Sequence, residues 1–319
     1  MLRGRSAVRF VMNASIASAL LNYSTGTIAD SMPSVVTFIH IPKTAGQSLI
    51  RDLESWSFVT LKRSGSSGNL EDCYSGVFVP GETHVALLRS PRAHVLSQFV
   101  ECRDDSWGRK MTKNTDFPRG GSLLSDLDVW LESFPENGTN RGDFECYNPT
   151  NMQTRQLTCS TPVSWDRLRY PQKNTPHHVG TRVGTLNVSL AIHNLATLQV
   201  VGVTELYAEF VCLLEYTTRG YVHNDCSCDD NGSLRSLAHE KEHLTHGVGP
   251  HRVEALTPAT LAHIDALTTL DRKLYSAAAQ LFFQQAAAAE RAVRHPFLCP
   301  RRLEAFHNIS GAVLKNKAA

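Results

Sequence analysis

Short uninterrupted apolar runs alternate along this chain with stretches whose apolar positions recur every three or four residues. The first pattern predicts buried strands and the second predicts helices. In Val35 to Ile39 the β-branched Val35, Val36, Thr37 and Ile39 favour a strand, which Pro42 stops. A helix begins at about Gly46-Gln47-Ser48-Leu49-Ile50. His84-Val85-Ala86-Leu87-Leu88 reads as a second strand running into Arg89. Ser90 fits an N-cap and Pro91 a first helical position. Ser122 to Phe134 reads as an amphipathic helix, Val200 to Thr204 as a strand and Glu205 to Tyr216 as a helix. Thr257 and Pro258 open a long helix to about Arg294, with an apolar stripe of Leu261, Ile264, Leu267, Leu270, Leu274, Leu281 and Phe282. The Ser/Gly-rich stretch at 63–69 is flexible in composition, 135–180 reads as loops over a site mouth and 217–257 as irregular. No internal repeat interrupts this α/β pattern.

Two of the strand-to-helix junctions carry chemistry. After the first strand, Lys43 supplies a mobile cation, Thr44 and Ser48 supply hydroxyls, and Gly46 allows close backbone approach. Unpaired N–H groups of Thr44, Ala45, Gly46, Gln47 and Ser48 at a helix N-terminus suit an anion. The G-x-x-x-x-G-K-[ST] pattern is absent, which disfavours a nucleoside triphosphatase. After the second strand, Arg89 lies at a strand's carboxyl end, where open α/β sheets bind ligands. A guanidinium there and Ser97 two turns into the next helix suit a phosphate dianion. A strand–turn–helix with a solvated lysine would look like the first junction alone; the second junction separates the two readings.

The K-T-A-G-Q-S run after F-I-H-I resembles the 5′-phosphosulfate loop of sulfotransferases that use 3′-phosphoadenosine 5′-phosphosulfate (PAPS). Arg89 through Ser97 resembles the 3′-phosphate motif of the same family, with His94 where relatives often carry arginine. The nearest resemblance is to heparan sulfate 6-O- and 2-O-sulfotransferases and their protist and algal relatives. Asn151-Met152-Gln153-Thr154-Arg155-Gln156-Leu157 resembles the family's N-x-Q-x-R-x-L segment, Val201 to Glu205 its V-G-[VL]-T-E element, and Thr268 to Tyr275 its T-x-x-D-x-x-L-Y helix. Residue by residue, most of these later patches read as core packing. The resemblance implies a P-loop-like three-layer fold, a central parallel sheet flanked by helices, over residues 33–295. Residues 1–32 would be a targeting or linker segment and 296–319 a C-terminal tail. It further implies sulfuryl transfer from PAPS to a carbohydrate hydroxyl, with no metal. Lys43 would stabilise the leaving group, residues 44–48 would grip the 5′-phosphate, and Arg89 and Ser97 the 3′-phosphate. The general base in relatives is commonly a histidine or glutamate between the two motifs. His84 is the candidate here, with Glu54, Glu71, Glu82, His177 and His178 as alternatives.

The chain's 319 residues, 42% hydrophobic, are enough for one large core. Its net charge of +2 gives no ground for a nucleic-acid partner. It leaves room for a local basic cleft and an anionic polysaccharide acceptor, with Lys62-Arg63, Arg109-Lys110, Arg167, Arg169 and Arg301-Arg302 as rim candidates. Eight cysteines suit disulfides in an oxidising lumen, although pairing is not legible and Cys212, in an apolar helical stretch, reads equally as a free thiol. Asn-x-Ser/Thr sequons at Asn13, Asn22, Asn137, Asn187, Asn231 and Asn308 suit a secretory glycoprotein. Val8 to Leu21 is mildly apolar behind Arg3 and Arg5 and leaves a membrane anchor, a signal and a transit peptide open. The resemblance favours the Golgi lumen, in a type II arrangement if the segment anchors the chain.

One rival motif is present. His239-Glu240-Lys241-Glu242-His243 satisfies the H-E-x-x-H pattern of zinc peptidases. Its flanking apolar face is weak, and the extended pattern fails because His246 and Gly249 stand where glycine and histidine are required. A catalytically inactive glycan-binding protein of the same fold is the other alternative, and retention of Lys43, Arg89 and Ser97 argues against it.

Overall fold

A computed structural model describes residues 34–63, 74, 76, 79–134, 144, 146–158, 185–229, 232, 234 and 252–306. Strands β1 (Ser34–Ile39), β2 (Val59–Arg63), β3 (Glu82–Leu88) and β4 (Val200–Val203) form one sheet in the order β2-β1-β3-β4. Every pairing is parallel, with Phe38 opposite Val85 and Leu88 opposite Val203. The helices are α1 (Gly46–Ser55), α2 (Pro91–Asp104), α3 (Ser106–Met111), α4 (Leu123–Glu132), α5 (Met152–Gln156), α6 (Val188–Ala196), α7 (Tyr207–Arg219), α8 (Pro258–Leu267) and α9 (Thr269–Val293). The chain is therefore an α/β protein with a four-stranded parallel sheet flanked by helices. Val85, Ala86, Leu87 and Leu88 are all buried, as are the four residues of β4. Continuous apolar strands of this kind follow from a parallel sheet covered on both faces.

The strand order reverses at β1: β2 lies on one side and β3 on the other. The crevice outside the carboxyl ends of β1 and β3 is thus a topological switch point. Strand β2 escapes the apolar pattern because it is a short edge strand ending in Lys62 and Arg63. Lys62 pairs with Glu82 at 2.5 Å, and Arg302 pairs with Glu209, so neither is a free rim charge. At Gly202 a Cβ would lie 2.2 Å from the Phe210 ring, so glycine lets α7 pack directly on β4.

A main apolar cluster surrounds the sheet, and a second joins α2, α4 and α8 through Phe99, Leu127, Trp130 and Ile264. Phe297, Cys299 and Phe306 are buried in the main cluster, so the packed body continues past residue 295 instead of ending in a tail there. Disulfides join Cys102 to Cys146, Cys212 to Cys226 and Cys228 to Cys299. Cys212 is therefore not a free thiol. Asn187, exposed at the head of α6, also accepts the Leu190 N–H. Residues 1–33 and the other five sequons lie outside the described residues. Among the described residues no helix is long and apolar enough to cross a membrane.

The single long C-terminal helix expected from its stripe is two helices, broken at Thr268. Thr257 caps the first as expected, accepting the Thr260 N–H. The break has a partner. Asn151 Oδ1 accepts the N–H groups of Leu270 (2.8 Å) and Asp271 (3.2 Å), taking the role of a side-chain cap for α9. Similarly, the helix expected at Glu205 begins at Tyr207, after a 3₁₀ turn over Thr204–Leu206.

Candidate anion-binding site

Strand β1 delivers the chain to the switch point, and the loop of residues 40–45 turns it into α1. Lys43 (φ 62°) and Ala45 (φ 65°) adopt left-handed backbone. For residues with a Cβ this costs on the order of 1–2 kcal/mol each, strain of a kind that gathers at functional sites. Ala45 occupies the N-cap position of α1 with no side-chain cap, and its C=O accepts the Leu49 N–H at 3.1 Å. The N–H groups of Gly46, Gln47 and Ser48 have no acceptor among the described residues. They form the open positive end of a ten-residue helix. Gly46 is required for a reason the sequence hid: a Cβ there would lie 2.0 Å from the His40 imidazole, itself stacked on Phe38. Thr44 is also redirected. Its buried hydroxyl donates to Ile41 C=O at 2.8 Å, so it braces the turn instead of facing out.

Strand β3 delivers Arg89 to the adjacent position. Its guanidinium Nη1 donates to the Lys43 carbonyl at 3.2 Å, which joins the two sequence motifs directly. Burial lowers the pKa of this guanidinium, and the nearby Glu205 carboxylate opposes that shift. Helix α2 supplies a second clamp on the same loop. The Gln98 amide lies 3.0 Å from His94 Nδ1, and His94 Nε2 lies 2.8 Å from the Pro42 carbonyl. With Gln98 donating to Nδ1, the proton sits on Nε2 and is given to Pro42. Burial, together with the charges of Arg89 and Lys43, holds the His94 pKa down at about 3 despite the Pro42 bond, so the ring is neutral.

His94, Ser97 and Glu101 fall on one stripe of α2, at spacings of three and four residues. The ends of this stripe touch Pro42 and Lys43, and the buried Ser97 lies between them on the same side of α2. Ser90 stands at the N-cap position, but its hydroxyl makes no cap. The Lys43 ammonium is ion-paired with the Glu101 carboxylate, which the sequence did not single out.

The patches read as core packing turn out to hold Arg89 in place. The Gln153 side chain accepts the Arg89 N–H and donates to the Arg89 C=O, both at 2.9 Å. Glu205 accepts the Ser90 N–H and the Tyr275 hydroxyl, each at 2.8 Å. Asp271 accepts the Thr154 N–H and hydroxyl and the Gln153 N–H. Only their place in the three patches of family resemblance could have pointed to these residues.

The expected base is not brought to this cluster. His84 is five residues before Arg89 on a strand, about 16 Å away. It is buried with Nε2 3.6 Å from Glu82, and burial lowers its pKa against that carboxylate. Glu82 sits at the same far end of β3, and Glu54 is exposed near the end of α1. Glu71, His177, His178 and the His239–His243 motif lie outside the described residues. Among the described residues no group of three His, Cys, Asp or Glu side chains is placed to hold a metal ion. Neither family models nor curated proteins give a match to the chain.

Proposed function

We propose that the chain is a PAPS-dependent sulfotransferase acting on a hydroxyl of a carbohydrate acceptor, with the P-loop-like three-layer fold of that family. One observation carries the reading: an uncapped helix N-terminus bearing Lys43 and a strand-end Arg89 meet at the switch point, hydrogen-bonded to each other. A donor with phosphates at both its 5′ and 3′ positions needs two separate anion grips, and these junctions would serve as the two. The N–H groups of residues 46–48 and the Ser48 hydroxyl would hold the 5′-phosphate, and Arg89 with Ser97 the 3′-phosphate. The acceptor oxygen attacks sulfur in line with the departing phosphate oxygen, as in phosphoryl transfer. Lys43 would meet the charge growing on that oxygen. Thr44 supports the loop from beneath, and His84 has no part in the reading. The disulfides suit an oxidising lumen such as that of the Golgi.

The test is transfer of labelled sulfate from PAPS to a panel of desulfated and native polysaccharides. Transfer to at least one, reduced about 100-fold or more in Lys43→Ala, is the expected result. Absence of label from every acceptor, with PAPS intact, would count against it.

A further inference from the structure

We infer that Glu101 is a specificity-determining residue of the donor site, selecting a sulfuryl end group over a phosphoryl one. The inference rests on the reading of Lys43 and Arg89 as a nucleotide site and names a discrimination within it. Lys43 and Glu101 are paired while nearly buried, their side chains 12% and 10% exposed. The Tyr147 hydroxyl lies 3.4 Å from the same carboxylate oxygen and donates to it, giving the carboxylate a second partner. Glu101 also lies one helical turn beyond Ser97 on the face that looks at the loop. Any end group that reaches the Lys43 ammonium therefore meets a carboxylate as well.

The consequence is a matter of charge. A terminal sulfuryl group carries one negative charge, whereas a terminal phosphoryl group of the same shape carries up to two near neutral pH. In a poorly solvated pocket the extra charge against a fixed carboxylate is costly, and specificity can be built from such a repulsion. The charges around the site point the same way. Lys43 faces Glu101, Arg89 lies in the field of Glu205, and the histidine between them is uncharged. Each of the two cations thus already stands near a carboxylate, and at Lys43 that carboxylate is in direct contact.

Calorimetric titration of PAPS and of 3′-phosphoadenosine 5′-diphosphate into the folded chain tests this. The wild-type chain is expected to bind the phosphosulfate about tenfold more tightly or better. Glu101→Gln is expected to narrow that ratio about fivefold or more, chiefly by gaining affinity for the diphosphate. Glu101→Asp, which keeps the charge, should retain the preference. Equal or tighter binding of the diphosphate by the wild type, or a ratio unchanged in Glu101→Gln, overturns the inference while leaving the donor site standing. Binding of neither ligand by the wild type overturns the donor site and the inference together.

Discussion

His94 ties the loop that carries Lys43 to the helix that carries Ser97, and it does so as an uncharged ring buried beside two cations. The unfolded chain takes up its proton near 6.5, whereas the folded chain holds it off to about 3. The stability that depends on neutral His94 is therefore fully present above about pH 6.5. It falls as pH drops toward 3, by at most about 1.4 kcal/mol per pH unit. His94→Asn should cost about 1–3 kcal/mol at neutral pH through the orphaned Pro42 and Gln98 groups. In urea denaturation it should also lose less stability than the wild type between neutral pH and about pH 5. Parallel pH profiles for the two proteins would show that His94 is not the titrating group. At this scale Lys43, Arg89 and Ser97 could be picked out in sequence as candidates, since residue type and spacing mark them. The inward turn of Thr44, the ring behind Gly46 and the Glu101 partner of Lys43 could not, because tertiary contacts alone make them.

Reciprocal capping between α5 and α9 transmits the C-terminal helix to the site. Asn151 serves the start of α9, Asp271 serves the start of α5, and Gln153 on α5 grips Arg89. Asp271 is fully buried, and burial raises its pKa to about 6 against the bonds from Thr154 and Gln153. The folded state therefore binds this proton before the unfolded one does, so Asp271 adds stability as pH falls from 6 toward 3.8. In Asp271→Asn one oxygen becomes an amide opposed to an N–H. The expected loss is about 1–3 kcal/mol at neutral pH, widening at about pH 5. A deficit that shrank on acidification would contradict the assignment. The stripe from Leu261 to Phe282 was real, but its pattern could not reveal the break at Thr268. That break depends on a side chain more than a hundred residues earlier.

For the whole molecule, the decisive feature is the strand order, which sets the two junctions side by side at the switch point. The apolar runs were enough to read β1, β3 and β4 and the α/β class. The order needed β2, an edge strand whose lysine and arginine masked it. Cysteine pairing likewise depends on the fold. Cys228 and Cys299 are 71 residues apart, a loop whose closure is worth about 4 kcal/mol in the chain-entropy picture. They fasten part of the C-terminal segment that was expected to be a tail.

The central claim is that Lys43 and Arg89 form two grips on one nucleotide, and binding of the product nucleotide tests it most directly. Thermal-shift titration would compare adenosine 3′,5′-bisphosphate with AMP in the wild type, Lys43→Ala and Arg89→Ala. Bisphosphate at 100 times its dissociation constant should add about 2.7 kcal/mol of stability. AMP should do far less, and both variants should lose the difference. No shift in folded wild-type protein, or equal shifts with the two nucleotides, would contradict the account.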